Sequence, residues 1–398
     1  MDDQIPVTNR HLAKRLQPYT SSIFTEMSTL AATHGAVNLG QGAPDFSGPT
    51  EVTETAVQAI RDGRNQYAPG NGIAPLRKAI ADHQRDRYAL DFDPHAEITV
   101  TAGATEAITA ALQALCEQGD EVIAFAPFYD SYPASCAMAG AKLVPVALAG
   151  PDLRVDGEKL RAAVTPRTRL LIINSPHNPT GRVLDETERR AIVEVAVEHD
   201  LLVITDEVYE HLTFDDAVHV PLISMAGMRE RTIQVSSAGK TFAVTGWKVG
   251  WVCASPELSE AVRSAKTWMT FSNGTPLQFG VAEGLRLGPD WFEGYREDYA
   301  HRRDVLCGGL EDAGFEVRRP QGTYFALFDG RQLGVDEDGL ALCRRLPRDA
   351  GVAAIPTAVF YGDLDHEPWW LRLAFCKDVE AISEGIDRLA AFRDRTTS

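Results

Sequence analysis

Residues 235–251 read Val235-Ser236-Ser237-Ala238-Gly239-Lys240-Thr241-Phe242-Ala243-Val244-Thr245-Gly246-Trp247-Lys248-Val249-Gly250-Trp251, and this stretch decides the fold. Lys240 stands just past the β-type run 232–235, among small residues and ahead of a second cation, Lys248. That is a poor place for a lysine serving solubility and a good one for a lysine that forms a Schiff base. An amine buried among small and apolar groups has a depressed pKa, so it can act as nucleophile and then as base near neutral pH. Ser237 and Lys248 flank it with a hydroxyl and a positive charge, the equipment for a phosphate monoester. The competing reading is a structural lysine in a Gly-rich turn.

On either side of this stretch, short apolar runs alternate with helical patterns or turns. The runs are 97–101, 121–125, 143–147, 170–174, 202–205, 232–236 and 248–254. Such alternation predicts an α/β domain with a largely parallel sheet and helices on both faces. Leu170-Leu171-Ile172-Ile173 and Leu201-Leu202-Val203-Ile204 lack polar alternation, as expected of strands covered on both sides. Past about residue 285 the texture changes. A charged helical pattern over 291–313 leads to shorter β-like runs and a last helix over 379–392, which reads as a smaller α+β domain. The division expected is 1–46 as an N-terminal arm and part of the small domain, 47–285 as the large domain, and 286–398 as the small one.

Several strand ends carry polar groups where open α/β sheets bind ligands. Thr101-Ala102-Gly103-Ala104-Thr105 follows a strand and opens a helix, whose N-terminus suits an anion. A plain capping turn is the alternative there. Asn178 sits in Asn174-Ser175-Pro176-His177-Asn178-Pro179-Thr180-Gly181, a turn-rich segment after a buried strand; His177 is read as structural. Asp206, in Thr205-Asp206-Glu207-Val208-Tyr209, is a carboxylate at the end of an apolar strand, costly unless paired. Its alternative is an N-cap on a following helix. Pro127-Phe128-Tyr129 offers a ring at another strand end. Arg372 lies inside the apolar strand Trp370-Leu371-Arg372-Leu373-Ala374-Phe375-Cys376. A buried guanidinium needs an anion, and its fork suits a carboxylate. An internal salt bridge is the alternative.

Bulk properties narrow the function. The chain has 398 residues, 44% apolar and 24% charged, with a formal net charge of -17. That charge argues against nucleic acid or an anionic membrane as partner. Met1-Asp2-Asp3-Gln4-Ile5-Pro6 carries no basic segment leading into an apolar stretch, and no run approaches a membrane span, so a cytoplasmic enzyme is expected. Six scattered cysteines form no C-x-x-C, and ten histidines show no metal spacing, so no metal is expected.

Together these segments resemble the class I/II aminotransferases, pyridoxal-phosphate enzymes of the type I fold, from about Phe24 to the C-terminus. The likeness rests on the Lys240 segment, Asn178-Pro179-Thr180-Gly181, Asp206-Glu207-Val208-Tyr209 and Arg372. Ile23-Phe24-Thr25-Glu26-Met27-Ser28, Gly40-Gln41-Gly42 and Thr245-Gly246-Trp247-Lys248 point to the branch holding kynurenine, glutamine and methionine aminotransferases. Within it the sequence is most similar to actinobacterial N-succinyldiaminopimelate aminotransferases.

The resemblance implies that Lys240 carries the cofactor and moves the substrate's α-proton. It implies Asp206 at the ring nitrogen, Tyr209 and Asn178 at the ring hydroxyl, and Tyr129, with Phe128 possible, stacked on the ring. Gly103, Ala104, Thr105, Ser237 and Lys248 would hold the phosphate, with Tyr67 from Asn65-Gln66-Tyr67 crossing from a partner subunit; a core tyrosine is the alternative for Tyr67. Arg372, Asn178, Gly42 and Phe24 would bind substrate, an amino acid or a 2-oxo acid, in a homodimer with shared sites. Ala43 stands where the branch usually has Phe, and Asn273-Gly274-Thr275-Pro276 also departs locally; both are expected near the side-chain pocket. Carbon–sulfur β-elimination on cysteine conjugates is the alternative chemistry for such a site, and a non-catalytic ligand sensor a distant third.

Overall fold

The computed structural model describes residues 11–397, so Met1–Pro6 lies outside the described residues. Seven strands form the large sheet: β1 (Ile98–Thr101), β2 (Glu121–Ala126), β3 (Lys142–Ala147), β4 (Thr168–Asn174), β5 (Leu202–Asp206), β6 (Thr232–Ser237) and β7 (Gly250–Cys253). Their spatial order is β1-β7-β6-β5-β4-β2-β3. All neighbours run parallel except β7, which is antiparallel to both β1 and β6.

The unbroken apolar runs have the cause expected from sequence. In β4, Leu170 and Ile172 enter a core shared with the helices Gly103–Leu115 and Pro256–Thr267. Leu171 and Ile173 enter a second core shared with the helix Glu186–Glu198. Successive side chains point to opposite faces, so a strand between two helical layers needs apolar residues throughout. Burying each such side chain contributes about 1.5–3 kcal/mol.

A second, four-stranded antiparallel sheet follows in sequence. Its order is Ile355–Pro356, Trp370–Ala374, Phe325–Asp329, Val317–Arg318. Its core takes Tyr299, Leu306 and Leu310 from the helix Pro289–Asp312, Leu342 and Leu346 from Gly339–Asp349, and Ile382 and Leu389 from Val379–Thr397. Arg372 lies on an inner strand of this sheet, opposite Leu327 on one side and Ile355 on the other. The run 352–355 reads as one strand in sequence. It splits instead: Val352–Ala353 pairs in parallel with Val37–Asn38, while Ile355–Pro356 joins the four-stranded sheet.

The amphipathic stretch near the N-terminus is the helix Ile23–His34, which begins where Ser22 Oγ accepts the Phe24 N–H at 3.3 Å and ends at Gly35 in the left-handed region. It delivers Met27 to the core of the four-stranded sheet, with Leu39 following. Gly40 to Ala43 thereby runs between the two sheets' cores, toward Arg372 on one side and Lys240 on the other.

Candidate active site

The carboxyl ends of β1, β2, β4, β5 and β6 border one cavity of about 360 Å³. Its lining includes Phe24, Gly42, Ala104, Thr105, Tyr129, Asn178, Asp206, Tyr209, Ser237, Lys240, Lys248 and Arg372. Among the described residues its charged side chains are Lys240, Lys248 and Arg372 against the single carboxylate Asp206. The molecule's net charge is -17, yet this cavity is cationic, with two of its cations set apart on different elements.

Lys240 belongs to the short helix Ala238–Thr241, directly after β6. Its Nζ donates to the Tyr324 hydroxyl at 2.9 Å and lies 3.4 Å from the Gly42 carbonyl oxygen. Burial pulls its pKa down to about 8. Asp206 ends β5, buried; Tyr132 Oη donates to its Oδ2 at 2.6 Å, and the Val208 N–H to Oδ1 at 3.4 Å. Burial raises the Asp206 pKa, a direction that a cation placed beside it would oppose. Residues 208–211 form a turn and no helix directly follows, so Asp206 caps none. Tyr209 is buried with its ring 5.2 Å from that of Tyr324, edge to face.

Asn178 is held from both ends. Its N–H donates to Asn174 Oδ1 at 2.7 Å, and Asn174 Nδ2 donates to the Asp206 carbonyl oxygen at 2.7 Å. Asn178 Oδ1 accepts from Arg372 Nη1 at 2.8 Å, while Arg372 Nη2 donates to the Gly40 carbonyl oxygen at 2.8 Å. Arg372 Nε is buried without a partner among the described residues. No carboxylate of the described residues pairs with this guanidinium, which rules out the internal salt bridge and leaves both of its hydrogen-bonded partners neutral. It lies over the Phe325 ring, 3.8 Å from the centroid, and burial lowers its pKa to about 10.

At the other end, no side chain of the described residues caps the N-terminus of the helix Gly103–Leu115, leaving the N–H groups of its first turn for an anion. Gly103 has φ 78°, and a Cβ there would stand 3.2 Å from Lys248 Nζ. Gly103 itself is not part of the lining; Ala104 and Thr105 are. Of the two candidate rings, Tyr129 lines the cavity while Phe128 turns into the core beneath. Tyr67 does not line this chain's cavity. It is 84% exposed, which excludes a core tyrosine, and its ring meets Phe271 edge to face at 5.6 Å.

Ala43 lines the cavity, but Asn273 to Pro276 does not. Asn273 Nδ2 instead donates to the Thr101 carbonyl oxygen at 3.0 Å, bracing the strand that leads into the Gly103 turn. His177 is packed away, its Nδ1 2.7 Å from Thr180 Oγ1. Tyr132 and Tyr324 are the contacts that sequence reading missed. Nothing local marks either. Folding also brings His83, Glu210 and His211 together, their ligand atoms within 4.8 Å of one another, outside the cavity lining. Both imidazoles are kept neutral by burial and pack on Phe292 at 5.2 and 4.8 Å.

These groups fit a pyridine ring bearing a phosphate. The buried Asp206 faces the cavity without a cation bonded to it, Lys240 offers an amine, and the uncapped helix end with Lys248 offers an anion seat. Arg372, with its orphaned Nε, offers a second anion seat, separate from the first.

Comparison with known proteins agrees. Residues 34–389 match the family model for aminotransferase class I and II. The chain is 49% identical over 391 residues to a probable N-succinyldiaminopimelate aminotransferase of Mycobacterium tuberculosis, covering 96% of this chain and 98% of that one. It is 40% identical over 376 residues to the methionine aminotransferase of Escherichia coli, covering 94% and 97%. Among solved structures, N-succinyldiaminopimelate aminotransferase from Mycobacterium tuberculosis superposes with a TM-score of 0.94 at 50% identity, covering 96% of this chain and all of that one. The chain thus belongs to the class I and II aminotransferases, transaminases of the type I fold that work through pyridoxal phosphate.

Proposed function

We propose that this aminotransferase acts on N-succinyl-diaminopimelate and the matching 2-oxo acid. The resemblance across nearly the whole chain supports it, at 49% identity against 40% for the methionine enzyme. Ala43 supports it too, since a methyl group on the cavity wall leaves room for a long acylated side chain. Steady-state kcat/KM over a donor panel tests it: N-succinyl-diaminopimelate, methionine, kynurenine, glutamine and an aromatic amino acid. A higher value for any of the others overturns this choice of substrate.

The single observation behind the residue roles is the buried Arg372 guanidinium facing the cavity with no carboxylate of its own. It binds the α-carboxylate and so fixes the α-carbon relative to Lys240. Pyridoxal phosphate, when bound, supplies the electron sink that acidifies the substrate's α-C–H. Lys240 takes that proton and delivers it back on the other side of the transfer. Asp206 holds a proton on the pyridine nitrogen, and Tyr132 keeps its carboxylate oriented. Tyr209 and Asn178 hydrogen-bond the ring hydroxyl, and Tyr129 covers the ring face. Ser237, Lys248, Ala104 and Thr105 seat the phosphate, the Gly103 turn admitting the close approach.

The working unit is a homodimer in which Tyr67 of the partner subunit completes the phosphate seat. Tyr67, Trp268, Met269 and Phe271 are exposed, and an apolar aromatic group of this kind suits burial against a second copy. The large unit runs over 47–285 and the small one over 286–398, with 1–46 an arm shared with the latter. The helix Thr275–Gly284 packing on Thr50–Arg61, and Pro289–Asp312 packing on Val379–Thr397, support that division. The compartment is the cytoplasm, a reading supported by six free cysteines; no described helix is long and apolar enough to cross a membrane.

A further inference from the structure

Tyr324 immediately precedes the strand Phe325–Asp329 and is fully buried. Its hydroxyl carries one proton. The Gly42 carbonyl oxygen, 2.7 Å away, can only accept, so the proton is committed there. Lys240 Nζ, 2.9 Å from the same hydroxyl, must then be the donor and Tyr324 the acceptor. An acceptor favours the ammonium over the amine, whereas burial favours the amine. Lys240 is thus held between two opposing influences, and Tyr324 supplies one of them.

Two further features show that this contact is built into the fold. A Cβ on Gly42 would fall 2.6 Å from Phe325 Cζ and 2.9 Å from Tyr324 Cε2, so glycine is what lets both rings close on that carbonyl. The rings of Tyr324 and Phe325 stand 4.8 Å apart, and Phe325 is the ring beneath the Arg372 guanidinium. Consecutive residues of one strand entry therefore touch the amine on one side and the carboxylate seat on the other.

We propose that Tyr324 is a positioning residue for Lys240: it receives the amine whenever Nζ is free of the cofactor and holds it as a hydrogen-bond donor beside the α-carbon's place. The proposal rests on the reading of Lys240 as the cofactor lysine. The other titratable groups facing Nζ are Cys376, Arg372, Asp206 and Lys248. The Tyr209 ring centroid lies 5.9 Å away, and Tyr295 Oη donates to the Lys240 backbone carbonyl at 2.5 Å. Tyr324→Phe keeps the ring and leaves Cys376, Arg372, Asp206, Lys248 and Tyr295 in place, removing besides the Lys240 contact the hydrogen bonds to the Gly42 carbonyl oxygen and to the Tyr209 hydroxyl.

The test uses holoenzyme converted by an amino donor to its pyridoxamine phosphate form, in which Lys240 is free. Acetic anhydride is applied across a pH series, and acetylation of the Lys240 peptide is followed by mass spectrometry. The wild-type midpoint should lie at about 8. Tyr324→Phe should lower it by about one unit, the shift expected on losing one charge-assisted hydrogen bond. Affinity for the 2-oxo acid, set by Arg372, should stay near wild type. Gly42→Ala, which forces the Tyr324 ring away, should move the midpoint in the same direction and serves if Tyr324→Phe does not fold. Folded variants with the wild-type midpoint overturn the proposal. A different outcome tests the underlying reading: Lys240 acetylated equally in the pyridoxal and pyridoxamine forms of the wild type would mean that Lys240 does not carry the cofactor.

Discussion

Replacing Arg372 with alanine should separate substrate binding from stability. In the free protein the guanidinium is a buried cation bonded, among the described residues, only to neutral acceptors, Asn178 Oδ1 and the Gly40 carbonyl oxygen, each at 2.8 Å. Its desolvation is already unfavourable, as its lowered pKa of about 10 records. Alanine removes that cost but leaves two acceptors without their donor, at about 1–3 kcal/mol each when buried. These terms oppose each other, so the melting temperature should change little. With substrate bound the balance differs, because the guanidinium then faces a carboxylate. Removing one partner of a buried charge pair costs about 3–5 kcal/mol, which is roughly two to four decades in affinity. Arg372→Ala should therefore raise KM for the amino donor and for the 2-oxo acceptor alike by at least about a hundredfold. Arg372→Lys, which keeps the charge but loses the fork, should fall between. Steady-state kinetics with each substrate varied in turn, alongside thermal unfolding, reads both quantities. An unchanged KM for both substrates would refute the reasoning, as would a collapse in melting temperature with binding intact.

Three further outcomes follow from the site. Lys240→Ala should still take up pyridoxal phosphate through the Lys248 end of the cavity yet lose essentially all turnover; wild-type turnover in that variant would remove Lys240 from its role. Because burial brings Lys240 to about 8, the transfer of the α-proton should slow as pH falls through about 8 and the amine protonates; a flat single-turnover rate between about pH 6 and 10 would contradict this. Tyr67→Phe should weaken cofactor retention by about 1.5–3 kcal/mol, the value of one hydrogen bond to a charged group. A mixed dimer of a Lys240→Ala chain with a Tyr67→Phe chain should keep one near-wild-type site, since crossing puts both lesions in the other; a sole active site with loosened cofactor would show that Tyr67 serves its own chain.

What the sequence determined is what lies within a few residues along the chain. A strand followed by a turn fixes which side chains stand at its carboxyl end, so Asn178, Asp206, Lys240 and the Gly103 turn could be placed from their own neighbours. The two-sided burial of β4 was legible for the same reason, since it requires only an unbroken apolar run. Contacts between distant segments were not legible. Whether Arg372 finds a carboxylate depends on what Asn178 and Gly40 bring to it, and the choice between Tyr129 and Phe128 depends on which way a turn faces the sheet. The split of 352–355 between two sheets depends on the strand Val37–Asn38, far upstream. Tyr132 on Asp206 and Tyr324 on Lys240 show the limit most plainly. An aromatic residue in an apolar run looks like core, and only the packed structure decides where its hydroxyl, one polar atom at the end of a rigid ring, must find a partner.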